Sequence, residues 1–292
     1  MKKLFALVLA VLMVMMCFAA CGGNADPTVP NGGSTAGNNN ATTPNNDPTT
    51  GDTTEKPTVV VGYTLYEPMN YEDENGKLVG FDTELAEAVF GNLGYEVMFQ
   101  LIDWSARYTD LNAGTIDCIW NGFTCNSKDD DGVLRTDKVD FSYNYMENRQ
   151  VVVAKADSGI ATAADLAGKV AGVENGSAGE SYAKGFADVM VTGFDYQTTA
   201  LFEVQSGTVD FAVLDAQLAK SYCGKGDYAD VAIVDGLSSD VEYYAIGFEK
   251  GSELTAKVNA ELEKLAADGT IAALAEKYGV SNTAITDFSD QK

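Results

Sequence analysis

Histidine is absent from this 292-residue chain, and positive charge is scarce. Without histidine the protein lacks the commonest general base, the Ser-His-Asp triad and the ligand found in most zinc sites. Its 19 basic residues face 43 acidic ones, which gives a formal net charge of −24. This balance argues against nucleic acid, whose binding needs clustered lysine and arginine, and against attraction to anionic lipid. We expect no metal or cofactor, and the acidity most simply favours solubility.

Cysteine is too scarce for a complete disulfide framework. Of the five cysteines, Cys17 and Cys21 lie in the first segment, which leaves Cys118, Cys125 and Cys223. Because three is an odd number, not all of these thiols can pair within the chain. Cys118 and Cys125 could form a bond, but Cys118 lies in an apolar strand and is more typical of a small core residue.

The first 20 residues have the pattern of a secretory signal peptide. Met1-Lys2-Lys3 is basic, and an uninterrupted apolar run follows from Leu4 to Ala20. A permanent membrane helix is the alternative, but the run falls short of the usual ~20 apolar residues. Phe18-Ala19-Ala20-Cys21 also resembles a bacterial lipobox, although its first position is usually leucine. That resemblance implies that Cys21 is diacylated and becomes the mature N-terminus.

Residues 21–57 are predicted to be a disordered tether behind the lipidated cysteine. The segment from Gly22 to Pro57 is rich in Asn, Thr, Gly and Pro and contains no aromatic residue, so it cannot build a core. Its random-coil reach is roughly 30–35 Å. The folded sequence is therefore expected to begin at Thr58.

A short pattern that occurs twice indicates two similar lobes. Gly114 to Asp117 and Gly207 to Asp210 differ only by Ile for Val, and they lie about 90 residues apart. The second copy leads into an apolar strand, Phe211 to Leu214, that ends at Asp215. Open α/β sheets bind ligands at such strand ends, although Asp215 could instead cap the helix that follows. Two lobes with strand ends facing a shared gap would form a cleft.

The remaining patterns supply the other elements of this α/β fold. We assign 58–150 to the first part of lobe 1, 151–240 to lobe 2, and 241–292 to a return to lobe 1 that ends in amphipathic helices. Asn75-Gly76 predicts a hairpin turn, and 126–133 an exposed acidic excursion. The predicted strands lie at 59–62, 95–102, 150–154, 169–173, 189–194 and 241–248. The predicted helices lie at 82–92, with Asp82 as N-cap, and at 106–113, 181–187, 198–205, 216–222, 252–267 and 271–278.

Eight residues at strand ends or on loops are expected to face the cleft. Together they offer a guanidinium and amides for a carboxylate, a carboxylate for an ammonium group, and aromatic walls, which suits a free amino acid. Each also has a structural interpretation, because Arg135 could form a surface ion pair and Trp104 could belong to the core. The candidates are Tyr66, Trp104, Gly122, Thr124, Arg135, Ser177, Ala178 and Asp215.

The order of several motifs resembles the bacterial extracellular solute-binding proteins of family 3, which bind polar amino acids for ABC importers. No single motif is decisive, but together they span about residues 58–278. The matching stretches are Asn-Gly-Lys-Leu-Val-Gly-Phe-Asp at 75–82, Ala-Gly-Thr-Ile-Asp at 113–117, Arg-Thr-Asp-Lys-Val-Asp-Phe-Ser at 135–142, Gly-Ser-Ala-Gly-Glu at 176–180, and Gly207 to Asp215.

The resemblance implies a type II periplasmic-binding-protein fold, in which two α/β lobes joined by hinge strands close like a Venus flytrap. By the same resemblance, Arg135 binds the ligand α-carboxylate, helped by Thr124 and the Ser177 amide, and Asp215 binds the α-ammonium group. Tyr66 and Trp104 would then enclose the ligand side chain. The expected partner is an ABC permease, and we expect a monomer anchored to the outer face of the bacterial cytoplasmic membrane.

One departure from the family pattern leaves the choice of carboxylate ligand open. An acidic insertion, Lys128 to Gly132, separates Thr124 from Arg135. Arg135 keeps the family spacing to Phe141-Ser142 and is preferred as the carboxylate ligand, whereas Lys128 keeps the closer spacing to Thr124 and is its rival.

The ligand and the activity also remain open at this level. An enzyme on the same fold, such as a dehydratase with a carboxylate acid, and a ligand sensor are the alternatives to a transport receptor. No kinase or cyclase segment follows, and the lack of histidine favours binding over catalysis. If Tyr63, Glu67 and Asn121 line the side-chain end, the site favours a neutral polar or cationic amino acid.

Overall fold

The computed structural model describes residues 56–291. The predicted signal peptide at 1–20, the lipidation site Cys21 and nearly all of the predicted tether lie outside the described residues. Within the described range, no helix has the length and apolar character needed to cross a membrane.

The described chain alternates strands and helices, as the α/β prediction requires. In chain order the strands are β1 (Thr58–Tyr63), β2 (Tyr71–Glu72), β3 (Leu78–Val79), β4 (Glu96–Leu101), β5 (Cys118–Ile119), β6 (Asp140–Phe141), β7 (Met146–Asn148), β8 (Gln150–Lys155), β9 (Val170–Glu174), β10 (Met190–Phe194), β11 (Phe211–Asp215), β12 (Val231–Ser238), β13 (Glu242–Tyr244) and β14 (Gly247–Phe248). The α-helices are α1 (Phe81–Asn92), α2 (Arg107–Asn112), α3 (Arg135–Lys138), α4 (Ala178–Lys184), α5 (Gln197–Ser206), α6 (Ala216–Tyr222), α7 (Glu253–Ala267) and α8 (Thr270–Lys277).

Two five-stranded sheets define two lobes. The order in lobe 1 is β4-β1-β5-β14-β6, and in lobe 2 it is β10-β9-β11-β8-β12. In each sheet the first three strands are parallel and the fourth runs antiparallel to the third. The antiparallel pair β7–β13 forms a separate two-stranded ribbon where the chain passes between the lobes. These are the hinge strands of a type II periplasmic-binding-protein fold.

The aspartate of the repeated Gly-Thr-Ile/Val-Asp pattern makes the same kind of hydrogen bond in both lobes. Asp117 accepts a hydrogen bond of 2.7 Å from the backbone N–H of Val60, in β1. Asp210 accepts one of 2.8 Å from the N–H of Val170, which begins β9. Each carboxylate therefore ties the entry of the third strand of its sheet to the neighbouring parallel strand. The sequence repeat thus corresponds to a structural repeat.

Apolar residues on alternate strand positions and on the inner helix faces form the core. Val59 and Val61 of β1 and Phe90 of α1 are fully buried, and Leu262 of α7 packs in the same cluster. Each such side chain contributes roughly 1.5–3 kcal/mol through burial. Cys118 is buried in this cluster and Cys125 is also a buried free thiol, so the expectation that Cys118 packs as a core residue is confirmed.

Three predicted boundaries are wrong. The residue that precedes α1 is Gly80, and Asp82 lies within the helix, buried, instead of capping it. The helix predicted at 181–187 begins at Ala178, because the Ser177 side chain caps it by accepting from the Glu180 N–H at 3.0 Å. The strand predicted at 241–248 is divided into β13 in the hinge and β14 in the lobe 1 sheet, since its two halves pair with different partners.

Candidate functional site

A small cavity lies between the two lobes, and the side chains that line it nearly fill it. Lobe 1 and lobe 2 contribute equally to its walls, so closure of the lobes completes it. The lining residues are Trp104, Asn121, Gly122, Thr124 and Arg135 from lobe 1, and Glu174, Ser177, Ala178, Gln197 and Asp215 from lobe 2.

The structure brings together seven of the eight predicted residues at this cavity; Tyr66 is not among the residues that line it. The Tyr66 hydroxyl forms a 2.7 Å hydrogen bond with the Tyr244 hydroxyl, and its ring lies directly behind Gly122. Tyr63 and Glu67 do not line the cavity either, whereas Asn121 does.

Arg135 begins α3 and reaches the cavity from lobe 1, with only 1% of its surface exposed. Its Nε donates to Asp129 at 2.9 Å and Nη1 donates to the Thr124 carbonyl at 3.1 Å. Nη2 donates across the cleft to the Gly176 carbonyl at 3.2 Å. A guanidinium has five N–H groups, so one N–H on each terminal nitrogen remains for a ligand carboxylate.

Asp129 lies in the acidic insertion and contacts three cations. Its carboxylate lies 2.8 Å from Arg107 Nη2, 2.9 Å from Arg135 Nε and 2.8 Å from Lys138 Nζ. Burial opposes ionisation of Asp129, but Arg135 and the hydrogen bond from Lys138 lower its pKa to about 2. The carboxylate is thus charged at neutral pH and holds Arg135 in place.

Arg107 is a buried cation that the sequence did not reveal as part of the site. Its guanidinium lies over the Trp104 ring at 4.7 Å and over the Tyr108 ring at 4.4 Å. Burial lowers the pKa of Arg107, and the nearby charge of Arg135 lowers it further. Trp104 and Tyr108 are close to Arg107 in the chain, but the burial of Arg107 and its contact with Asp129 arise only on folding, so the sequence gave no signal for them.

The acidic insertion is only partly the exposed excursion that was predicted. Lys128 is exposed and does not line the cavity, as expected for a solvated position. Asp129, by contrast, folds inward onto Arg107 and Arg135, so the prediction is wrong for this residue. Asp130 reaches across the cleft to Lys184 of lobe 2 at 2.7 Å.

Asp215 ends β11 and does not cap α6 with its side chain. Its Oδ1 accepts from the amides of Asn148 and Gln150, both at 2.6 Å, and Oδ2 accepts from Gln197, also at 2.6 Å. Burial raises the pKa of Asp215, and the hydrogen bonds from these amides oppose that effect. The helix-cap interpretation is therefore wrong, and Asp215 is a buried carboxyl group at the cavity.

Two further carboxyl groups at the cleft escaped the sequence prediction. Glu174, at the end of β9, lines the cavity, and burial followed by the charge of Asp215 raises its pKa to about 8. Glu242, in the hinge, accepts from Gln150 at 2.9 Å, and burial and Asp215 raise its pKa to about 7. Glu174 was detectable, because it directly follows a predicted buried strand, as Asp215 does.

Trp104 and Ser177 make contacts that the sequence did not anticipate. Trp104 belongs to a short 3-10 helix and packs edge-on against Phe123, with ring centroids 5.2 Å apart. Within 56–291 its buried indole N–H has no hydrogen-bond partner. The Ser177 N–H, expected to bind a ligand, donates to the Glu174 carbonyl at 3.2 Å.

Known proteins share this sequence pattern and this fold. The family model described as "Bacterial extracellular solute-binding proteins, family 3" matches residues 59–281. The arginine-binding extracellular protein ArtP of Bacillus subtilis (strain 168) is 30% identical over 234 residues, which cover 78% of this chain and 88% of that protein. The L-cystine-binding protein TcyJ of Escherichia coli (strain K12) is 30% identical over 229 residues, covering 77% and 83%.

A solved structure agrees with these relatives. An ancestral arginine-binding protein bound to arginine superposes with a TM-score of 0.69 and 38% identity, and the match covers 76% of this chain and 97% of that one. The two lobes, the hinge ribbon and the cleft all correspond to the type II periplasmic binding proteins. The chain therefore belongs to the bacterial extracellular solute-binding proteins, family 3.

Proposed function

We propose that this protein captures a free polar amino acid outside the cell and delivers it to the permease of an ABC importer. The observation that carries the proposal is the pairing of Arg135 and Asp215 on opposite walls of one cavity. A free amino acid presents a carboxylate and an ammonium group next to each other, and these two side chains complement them. The relatives, named for binding arginine and cystine, support this class of ligand.

Arg135 is proposed to hold the ligand α-carboxylate. Two of its N–H groups are not used by the protein, and its orientation is fixed by Asp129 and by the Thr124 carbonyl. The unpartnered indole N–H of Trp104 is a further donor at the same wall. Lys128 is exposed and so is a poor candidate for the same role.

Asp215 is proposed to receive the α-ammonium group. In the structure its oxygens accept from three amides, Asn148, Gln150 and Gln197, and all three are neutral donors. An ammonium group forms a stronger, charge-assisted bond, so it can replace one of these amides without leaving the carboxylate unpaired. One of the three amides, Asn148, belongs to the hinge strand β7, which connects ligand binding to the angle between the lobes.

Closure of the lobes is proposed to signal that ligand is bound. Arg135 of lobe 1 donates to Gly176 of lobe 2, so the residue that holds the ligand also bridges the cleft. Rotation at the hinge ribbon would open the cavity for entry and release. The closed face is then the surface that the permease recognises.

The proposal also includes attachment to the membrane through diacylated Cys21 and a tether at 21–57. It further includes a monomeric state and the absence of catalytic activity. Family members are solute-binding proteins. Among the roles proposed for the cavity residues, none requires a proton to move between ligand and protein as catalysis would.

The test compares Arg135 with Lys128 by calorimetric titration, after a thermal-shift screen of the free amino acids has identified a ligand. A ligand at 100 times its dissociation constant stabilises the protein by about 2.7 kcal/mol, which such a screen detects. Arg135→Lys should weaken binding by at least about 2 kcal/mol, because an ammonium group cannot reproduce two parallel hydrogen bonds. Lys128→Ala should change the affinity by less than about fivefold. The reverse order would refute the assignment.

A further inference from the structure

Glu174 is a buried carboxyl group in the cavity that the proposed function does not use. It is the last residue of β9, pairs with Phe194 of β10 and has only 4% of its surface exposed. It lines the same cavity as Arg135 and Asp215. The backbone N–H of Gln197 hydrogen-bonds its carboxyl group.

The charges on the cavity wall do not balance for a zwitterionic ligand. The lining residues include one guanidinium, Arg135, and two carboxyl groups, Glu174 and Asp215. Arg135 contacts Asp129, and Arg107 acts on Glu174 through its charge without forming an ion pair with it in residues 56–291. A ligand carboxylate on Arg135 and an α-ammonium group on Asp215 leave Glu174 without a cation in direct contact. Glu174 is thus the cavity residue available to pair with a charged group on the ligand side chain.

A buried carboxylate without a cation is costly, so such a group keeps its proton. Burial and the negative charge of Asp215 raise the pKa of Glu174 to about 8, whereas Arg107 opposes this shift and Asp103 adds to it. Glu242 is a further acidic group at the cleft, and burial raises its pKa as well. At neutral pH Glu174 is therefore mostly protonated before ligand binds.

We propose that Glu174 selects amino acids whose side chain carries a positive charge, and that it releases its proton when such a ligand binds. The inference rests on the proposed function, because it needs Arg135 and Asp215 to take the α-carboxylate and α-ammonium groups. A guanidinium or ammonium at the end of the ligand side chain pairs with the ionised Glu174, and the proton passes to solvent. A neutral side chain leaves Glu174 protonated and forms no ion pair.

Arginine and citrulline are the probes, because citrulline has nearly the same shape but a neutral ureido group. Calorimetric titrations of the wild-type protein at pH 7 would be run in phosphate and in Tris, whose protonation enthalpies differ. Arginine should bind at least tenfold more tightly than citrulline and release close to one proton, whereas citrulline should release none. The affinity for arginine should also rise with pH between 6 and 8. Over this range Glu174 of the free protein loses its proton, so less free energy is needed to ionise it when arginine binds.

Glu174→Gln is the variant that tests the residue, and Asp215→Asn is its control. Glu174→Gln should lose at least tenfold in arginine affinity, keep citrulline affinity within about threefold and release no proton. Asp215→Asn should weaken both ligands together, since both carry the same α-ammonium group. Thermal unfolding of each variant would show that the fold is retained.

Each of the following outcomes would overturn the inference. Equal affinities of the wild-type protein for arginine and citrulline, or arginine binding without proton release, would show that Glu174 does not meet the ligand side chain. Equal losses for both ligands in Glu174→Gln would place Glu174 at the α-ammonium group instead. Binding of neutral amino acids but not arginine would overturn this inference alone, whereas binding of no amino acid would overturn the proposed function as well.

Discussion

Replacing Asp129 by asparagine removes the carboxylate that contacts Arg107, Arg135 and Lys138. Asparagine keeps the shape of the side chain, so the perturbation is mainly the loss of one negative charge. Two buried guanidinium groups that lie close together then lose the anion between them. We expect the folded protein to be destabilised at neutral pH, and the loss can be worked out from the pKa of Asp129.

Burial by itself raises the pKa of Asp129, but Arg135, Lys138 and Arg107 lower it from 3.8 to about 2. A difference of about 1.8 in pKa corresponds to about 2.4 kcal/mol. The side chain is 10% exposed, so solvent screens this interaction little, and we expect a loss of about 2 kcal/mol. Because the folded pKa is the lower one, the contribution is complete above about pH 5 and is lost as the pH falls through 2, with about half remaining at pH 3.

Urea unfolding of the wild-type protein and Asp129→Asn at pH 7 and pH 3 measures this difference. Asp130→Asn is the matched control, because Asp130 is the next residue and pairs with Lys184 at 2.7 Å, but both side chains are about half exposed. The control should lose less than about 1 kcal/mol. Similar losses for the two variants at pH 7, or an Asp129→Asn loss that does not shrink at pH 3, would refute the reasoning.

Three further predictions concern other parts of the chain. Gly122→Ala should destabilise the fold by about 1–3 kcal/mol in urea unfolding, because φ is +57° and a Cβ would lie 2.7 Å from the Tyr66 ring. Burial raises the pKa of Asp82 from 3.8 to about 7, so its folded form binds more protons and stability falls as pH rises through that window. Asp82→Asn should therefore show a weaker decline of stability between pH 4 and 7, and an unchanged slope would contradict this. Cys21→Ser should release the protein from membranes on fractionation, and membrane retention with normal cleavage would exclude lipidation as the anchor.

Asp82 illustrates how much of the structure lies beyond local sequence rules. Its position before an apolar helical pattern is typical of an N-cap, yet its Oδ2 accepts from the Gly122 N–H and the Tyr145 hydroxyl, both at 2.8 Å. These partners lie 40 and 63 positions away in the chain. Capping rules describe the nearest few residues, so they could not anticipate a carboxyl group that joins α1 to the end of a distant strand.

The residues of the site likewise divide into those that the sequence predicted and those that only the structure revealed. Motif order pointed to Arg135, Thr124 and Asp215, because strand ends and motif spacing are local properties, and the structure places all three at one cavity. Arg107 had no motif, and Glu174 was passed over although it follows a buried strand. Their importance comes from the low exposure and the neighbouring charges that folding creates.

The sequence by itself determined the family, the α/β alternation and the duplicated lobe. These features follow from hydrophobic periodicity and from short motifs, which chain neighbours specify directly. Only the tertiary structure decided the charge balance of the cleft. Asp129 lies in an insertion whose sequence predicted a solvated loop. In the folded chain its carboxylate contacts Arg107, Arg135 and Lys138, which are distant from it or on the far side of the insertion in sequence. Electrostatic energy depends on distance and burial, and both are set by contacts between residues far apart in sequence.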